Sequence, residues 1–395
     1  MQIDIATNQA LADLCENAEG QAYITLDTEF IRERTFFPVL ALIQVSWPGQ
    51  EPVLIDPLPI TNWDPFHELL CTPETIKVLH SSRQDLEIFF NQMGTIPKPV
   101  FDTQIAASMC GFGDQISYAA LIAKTLGVQL KKGDSFTNWL QRPLTEAQVR
   151  YARDDVAYLP DAYEKLVELA EKQGRLKWIQ QETRDQLNDN LFRNDPENLW
   201  RKVKKVGQLK EKDLVVMQAL AVWRDKKARE QDKPVRFVLS DEVMVELAKM
   251  DQLTLDSLRS RRGIHPKFVN RFGEHLLKIH AEAREVPKSQ WPRLKESRRR
   301  GPSSKAENLA DLAWILIKEI AQRANMAPAN IILKRELAPF IDATLQGRDT
   351  SQYGICGGWR KEMVGDLLIK LLDGQMTIRV ENHHIIWDDH GIKDD

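Results

Sequence analysis

Cysteine is scarce: the 395 residues hold four, Cys15, Cys71, Cys110 and Cys356. They lie far apart, without the close pairs of a zinc site and too few for a disulfide framework, so all four are read as reduced thiols. Long apolar runs are missing too. No stretch approaches the roughly 20 consecutive apolar residues of a membrane helix. The N-terminal segment MQIDIATNQALADL has neither the basic region nor the apolar region of a secretion signal. A chain of this kind is expected in the cytoplasm, with no membrane partner. Compositional bias is also lacking. With 43% hydrophobic and 28% charged residues, the protein is neither disordered nor fibrous nor collagen-like, and its length exceeds the usual single core, which implies two or three domains.

What is present is an uneven distribution of charge. Residues 1–200 carry a net charge of −12, residues 201–300 carry +12 and residues 301–395 carry −3. An acidic block joined to a basic one suits a protein that holds a polyanion with the second block while positive charge, such as metal ions, neutralises the first.

The first third alternates strands and helices. AYITLDTEF (22–30), LALIQVSW (40–47) and PVLIDP (52–57) are short, aliphatic and separated by turns, as in an antiparallel meander. WDPFHELL, TIKVLH, SRQDLEIFFNQMG and VFDTQIAASMCG then alternate helix with strand, so parallel crossovers and a mixed sheet covered by helices are expected. Thr145 and Gln148 have the spacing of a capping box that opens a helix running towards Gln173. Beyond residue 200 only helical periodicity remains. It forms two bundles, separated by the segment 286–305, which is rich in Pro, Ser and Arg and is read as an exposed linker.

Three motifs can carry chemistry. Asp27 and Glu29 stand two apart at the end of an apolar strand, so their carboxylates share one face, and hard oxygen donors side by side suit Mg²⁺ or Mn²⁺. Asp85 follows the strand IKVLH in the first turn of a helix, where it could equally be the third-residue acid of a cap formed by Ser82. Tyr151 and Asp155 share a face of the helix opened by Thr145. Asp154 lies near that face as a decoy. Four carboxylates and a tyrosine from separate elements are the set that two-metal phosphodiester hydrolysis requires.

In this order the motifs resemble the DEDD superfamily of 3′-to-5′ exonucleases in its tyrosine-containing branch. LDTEFIRERTFFPVLALIQVS, VLHSSRQDLEIF, FDTQIAA and YARDDVAYL look closely like the ribonuclease D family. The resemblance implies an RNase H-like α/β exonuclease domain over 1–200. It makes Asp27, Glu29, Asp85 and Asp155 ligands of two divalent ions and Tyr151 the residue that positions the attacking water. Residues 208–290 resemble an HRDC domain, and 306–395, including GGWRKEMVGDLL, resemble a second and more divergent one, joined by a basic linker at 291–305. The tail TIRVENHHIIWDDHGIKDD is read as solvated, with His383 and His384 pointing to opposite faces of an extended segment.

The implied substrate is RNA with a free 3′ end, transfer RNA precursors in particular, trimmed by a monomer without an obligate protein partner to nucleoside 5′-monophosphates. Phe30, Phe36 and Phe37 follow the first motif and are candidates to wedge against terminal bases, or alternatively, for Phe30 and Phe37, to be core. Lys226, Lys227, Arg229, Arg236, Arg261, Arg262, Arg298, Arg299 and Arg300 are candidate phosphate contacts. Two alternatives stay open: the same chemistry on DNA, and a non-catalytic RNA-binding module.

Overall fold

The computed structural model describes residues 3–131, 137–193, 195–294 and 301–389. The predicted meander is present as β1 (Tyr23–Ile31), β2 (Val39–Ser46) and β3 (Val53–Ile55), followed by β4 (Ile76–Leu79) and β5 (Val100–Asp102). The five strands form one sheet in the order β3-β2-β1-β4-β5. β1 pairs antiparallel with β2 and parallel with β4, and β5 is parallel to β4, so the sheet is mixed as expected. Parallel neighbours require crossovers. These are α2 (Asp64–Cys71) and α3 (Arg83–Met93), with α1 (Asn8–Ala18) preceding β1. α3 stops at Gly94, whose left-handed backbone (φ 76°) closes the last turn.

The period-2 alternation of β1 and β2 sorts their side chains. Ile24, Leu26, Ile43 and Val45 pack with Leu11, Phe66 and Phe89 of α1–α3 on one face. On the other face Ala41, Leu42 and Leu54 meet α6 (Glu146–Ala157) through Val149 and Ala152. α4 (Thr103–Met109), α5 (Tyr118–Leu126), α7 (Leu159–Lys172) and α8 (Leu176–Gln186) complete the cover around Tyr23, Val78 and Phe101.

The capping box is formed: the Thr145 hydroxyl accepts from the Gln148 N–H at 3.2 Å, and the Gln148 side chain returns the bond to Thr145 N–H at 2.9 Å. The single helix expected from 145 to 173 is corrected to two, α6 and α7, broken at Tyr158. Pro160 sits in the first turn of α7, where its missing N–H costs nothing.

The helical region has two parts. α9 (Glu211–Glu230), α10 (Val235–Val238), α11 (Asp241–Lys249), α12 (Leu255–Arg259) and α13 (Pro266–Arg284) enclose their own core of Leu214, Met217, Leu220, Met244 and Leu276. α14 (Ser304–Arg323), α15 (Pro328–Ile331), α16 (Lys334–Leu345), α17 (Gly358–Arg360) and α18 (Asp366–Leu372) instead share one core with the nuclease-like domain, where Leu316, Phe340 and Trp359 join Phe101, Leu121 and Ile179. Arg360 grips the buried Glu182 of α8 with two bonds of 2.6 and 2.7 Å, Trp359 stacks on Trp178 at 5.3 Å, and Ser108 bonds Asn330 at 2.8 Å.

The tail has His383 and His384 exposed as read, but it is paired and not a single extended segment. Met376–Glu381 and His384–Asp389 pair as a β-hairpin, β6 and β7, turned by Asn382 and His383 at φ 49° and 66°. Two positive φ values are what a two-residue hairpin turn with the right twist demands. His383 is therefore a turn residue, and the second helical unit is not all-α. The predicted linker is described only in part. Arg298, Arg299 and Arg300 lie outside the described residues, as does the end of the tail.

Candidate active site

Asp27 and Glu29 project together from β1, the central strand, just before a bulge between Glu29 and Phe30 shifts the register of its pairing with β2. Asp85, 6% exposed, enters from the first turn of α3, and its carboxylate accepts from the Thr28 hydroxyl at 2.5 Å. The capping role considered for it is absent. Ser82 has helical dihedrals and no capping bond, and its hydroxyl and N–H both go to Asp102, at 2.7 and 2.8 Å. Asp155 and Tyr151 come from α6 one turn apart, and their side chains interact directly. Asp154 feels the charges of Arg150 and Lys131, and its own charge acts on Asp155.

The five residues named from the sequence are thus brought to one place, and their electrostatics are those of a single site. Asp27 is held well above the ordinary carboxylate range by burial and then by Asp85, Asp155 and Glu29. Burial, with Asp155 and Asp85, pushes Glu29 up to about 8. Asp85 and Asp155 are raised to about 7, chiefly by burial, against the lowering effect of their bonds from Thr28 and Tyr151. The Tyr151 phenol is raised, first by burial and then by Asp155, Glu29 and Asp27, so it stays protonated and can only donate or accept a hydrogen bond.

Among the described residues no three such side chains are drawn into one finished ligand group. Burial is the largest influence on all four carboxylates instead; Asp27 and Glu29 also feel the charges of the other site acids, while Asp85 feels Asp102 and Asp155 feels Asp154, and no lysine or arginine is among the causes. Desolvated hard oxygens that repel one another are a donor set that divalent cations fit.

Some supporting residues were not singled out from sequence. Asp102 accepts from the Ser81 and Ser82 N–H groups and the Ser82 hydroxyl while also capping α4 through Gln104 and Ile105. It thereby fixes the loop that carries Asp85, including Ser81 at φ 57°. The available signal was Asp-Thr-Gln immediately after a strand, an N-cap pattern. His80 and Tyr118 bear on the site as well, and nothing in local spacing marks them.

The nucleic-acid candidates scatter. Phe30 packs against the α1–α3 core. Phe36 packs against the core of the first helical bundle, beside Phe37 at 4.8 Å, with the Arg229 guanidinium over both rings at 4.7 and 5.8 Å. Asp232 accepts from the N–H groups of Phe36 and Phe37 at 2.9 and 3.3 Å. These two rings therefore clasp the nuclease-like domain to the helical bundle. A cleft of about 980 Å³ opens there, lined by Phe36, Phe37, Arg229 and Arg236 together with Arg32 and Arg193. Lys226 and Arg262 are exposed, Lys227 is paired with Glu230 and Arg261 with Glu246, and none of the four lines that cleft.

Known proteins resemble this chain along nearly its whole length. Residues 2–171 match a family model described as a 3′-5′ exonuclease, and residues 213–279 match the HRDC domain. A ribonuclease D from Jannaschia sp. is 36% identical, spanning 96% of this chain and 98% of that protein. One from Pseudomonas paraeruginosa is 34% identical over 93% and 97% respectively. The crystal structure of Escherichia coli RNase D, described as an exoribonuclease involved in structured RNA processing, superposes with a TM-score of 0.82 at 33% identity, covering 95% of this chain and 99% of that one.

Proposed function

This chain belongs to the ribonuclease D family of 3′-to-5′ exoribonucleases; we propose that it trims RNA 3′ ends at the site formed by Asp27, Glu29, Asp85, Tyr151 and Asp155. The observation that carries the assignment of these residues is their electrostatics: four carboxylates held in common above their ordinary range, with a protonated phenol beside them.

Asp27, Glu29, Asp85 and Asp155 would hold two divalent ions, Mg²⁺ or Mn²⁺, which when bound supply water activation and stabilisation of the leaving 3′ oxygen. Thr28 keeps the Asp85 carboxylate turned inward by its 2.5 Å bond. Tyr151, kept protonated, orients the attacking water through its hydroxyl. The products are nucleoside 5′-monophosphates, and the substrates are transfer RNA precursors with free 3′ ends. The arginine-lined cleft beside Phe36 and Phe37 leads the strand towards the site, and stacking on an aromatic face, worth about 1–3 kcal/mol per base, tolerates any sequence. The C-terminal unit from Ser304 onward serves as a second, divergent HRDC-like module, and the protein acts as a cytoplasmic monomer.

The test is to incubate the purified chain with matched RNA and DNA oligonucleotides, with Mg²⁺, with Mn²⁺ and with chelator. Metal-dependent release of nucleoside 5′-monophosphates from the RNA 3′ end supports the reading. Equal or faster loss of DNA transfers the chemistry to DNA, and binding without release makes the protein an RNA-binding module.

A further inference from the structure

α6 and α7 form a continuous run of helical sequence that is nevertheless broken at Tyr158, and the break lies three residues after Asp155. In an unbroken helix the Tyr158 N–H would bond the Asp154 carbonyl. Here that carbonyl accepts from the Tyr118 hydroxyl at 3.1 Å. The Tyr158 N–H in turn meets the oxygen of the same hydroxyl as well as the Val156 carbonyl. A side chain from α5, 36 residues earlier in the chain, is spliced into the hydrogen-bond ladder of α6, and insertion into the ladder is one of the few causes of a sharp helix break.

The inserted ring is itself held from the other side of the site. His80, at the end of β4, lies 5.7 Å from the Tyr118 ring. One His80 nitrogen bonds the Thr103 hydroxyl at 2.9 Å and the other bonds the Ile116 carbonyl at 3.0 Å. Gln104 donates to that same carbonyl at 3.0 Å. A braced path therefore runs from the strand that leads to Asp85, through His80 and Tyr118, to the backbone on either side of Asp155. Among the charges acting on Tyr118 are Asp155 and Asp27, so its hydroxyl lies within electrostatic reach of both.

We propose that Tyr118 is a positioning residue for the reaction: by bridging the Asp154 carbonyl and the Tyr158 N–H it sets where α6 ends, and so sets the separation of Asp155 from Asp27 and Asp85. Its effect reaches the chemistry through Asp155 and not by contact with RNA. His80 supports it by fixing the start of α5. The inference rests on the exonuclease assignment above.

The test is Tyr118→Phe in the full-length chain, which keeps the ring and its packing and removes only the bridging oxygen. Amide exchange at Tyr158 should quicken by several-fold, since one of its two acceptors is gone and only the Val156 carbonyl remains. In RNA-free protein, Mn²⁺ titration followed by electron paramagnetic resonance should show affinity weakened about three- to tenfold. With a short RNA oligonucleotide kcat should fall about tenfold while KM stays within about twofold, the split expected when an interaction made at the transition state is lost. His80→Gln should move the same quantities in the same direction by a smaller factor, and it carries the test should Tyr118→Phe fail to fold. Wild-type Mn²⁺ affinity and kcat in the variant, despite faster exchange at Tyr158, would overturn the proposal and leave Tyr118 a purely structural bridge. A wild-type protein that shows no metal-dependent trimming overturns the exonuclease assignment instead, while exchange and Mn²⁺ titration still decide the role of Tyr118.

Discussion

Removing divalent ions and raising the pH should destabilise this protein, and the carboxylates of the site determine the size and the sign. Glu29 is held at about 8, and Asp85 and Asp155 at about 7, whereas in the unfolded chain all three ionise near their ordinary values of about 4. Between pH 4 and 8 the folded state therefore holds protons that the unfolded state has released. Stability from these groups is fully present below about pH 4 and is lost as pH rises through the folded values. Each group alone is worth about 4–5 kcal/mol at about 1.4 kcal/mol per tenfold change. They act on one another, so a combined loss of about 3–6 kcal/mol by pH 8 is expected rather than their sum. Buried neutral histidines oppose it: burial lowers His67, His80 and His280, so their contribution grows as pH rises towards neutrality. The carboxylate contribution is isolated as the difference between protein in chelator and protein in Mg²⁺ or Mn²⁺, by thermal unfolding at half-unit steps from pH 5 to 8. At about 2–4 °C per kcal/mol for a unit of this size, the gap should widen by about 6–20 °C across that range. Asp85→Asn, whose amide oxygen can still accept from Thr28, should narrow it. A gap that is constant from pH 5 to 8 would refute the picture of a desolvated, mutually repelling carboxylate set.

Asp27→Asn, Glu29→Gln, Asp85→Asn and Asp155→Asn should each abolish nucleotide release while circular dichroism and melting in chelator show an intact fold, whereas Asp154→Asn should be mild; both are read by quantifying released monophosphates. Tyr151→Phe should lower kcat about 10²-fold with RNA affinity little changed, since it removes the hydroxyl that orients water, and an unchanged kcat in single-turnover assays would reduce Tyr151 to packing. Arg360→Leu should cost about 2–4 kcal/mol by leaving Glu182 buried without its partner, a loss that eases on acidification because burial then favours the protonated acid; thermal melts at pH 5 and 7.5 check this.

The elements legible in the sequence are those whose causes are local. The alternation of YITLDTEF placed Asp27 and Glu29 on one strand face, and Thr145 with Gln148 announced the start of the helix that carries Tyr151 and Asp155, because a strand face and a capping box are each defined within a few residues. Where local signals had two meanings, distant partners decided between them. Ser82 with Asp85 has the spacing of a cap, yet Asp102, 20 residues on, takes the Ser82 hydroxyl and leaves Asp85 to Thr28. The break at Tyr158 has the same origin, since the periodicity of α6 into α7 carries no trace of a hydroxyl arriving from Tyr118. The hairpin was within reach of pattern reading, since MTIRVE and HIIWDD alternate, but its turn uses Asn382 and His383 where the familiar signal is Asn-Gly.

The C-terminal unit follows the same logic on a larger scale. Its amphipathic helices were legible as helices, but periodicity says only that a face is apolar and not what covers it. What covers it is α4, α7 and α8 of the nuclease-like domain, through Trp178 on Trp359 and Glu182 on Arg360. The first helical bundle differs: it has its own core and meets the nuclease-like domain at the clasp of Phe36 and Phe37 with Arg229 and Asp232. Charge follows this division. Residues 201–294, which hold the separately cored bundle and the segments packed on it, carry +9 of the +12, while the acidic domain is closed by a C-terminal unit of nearly balanced charge. The basic module, with its own core, meets the nuclease-like domain through a polar and aromatic contact beside an arginine-lined cleft. A unit that shares the nuclease core cannot move without exposing Trp178 and uncovering the charge of Glu182.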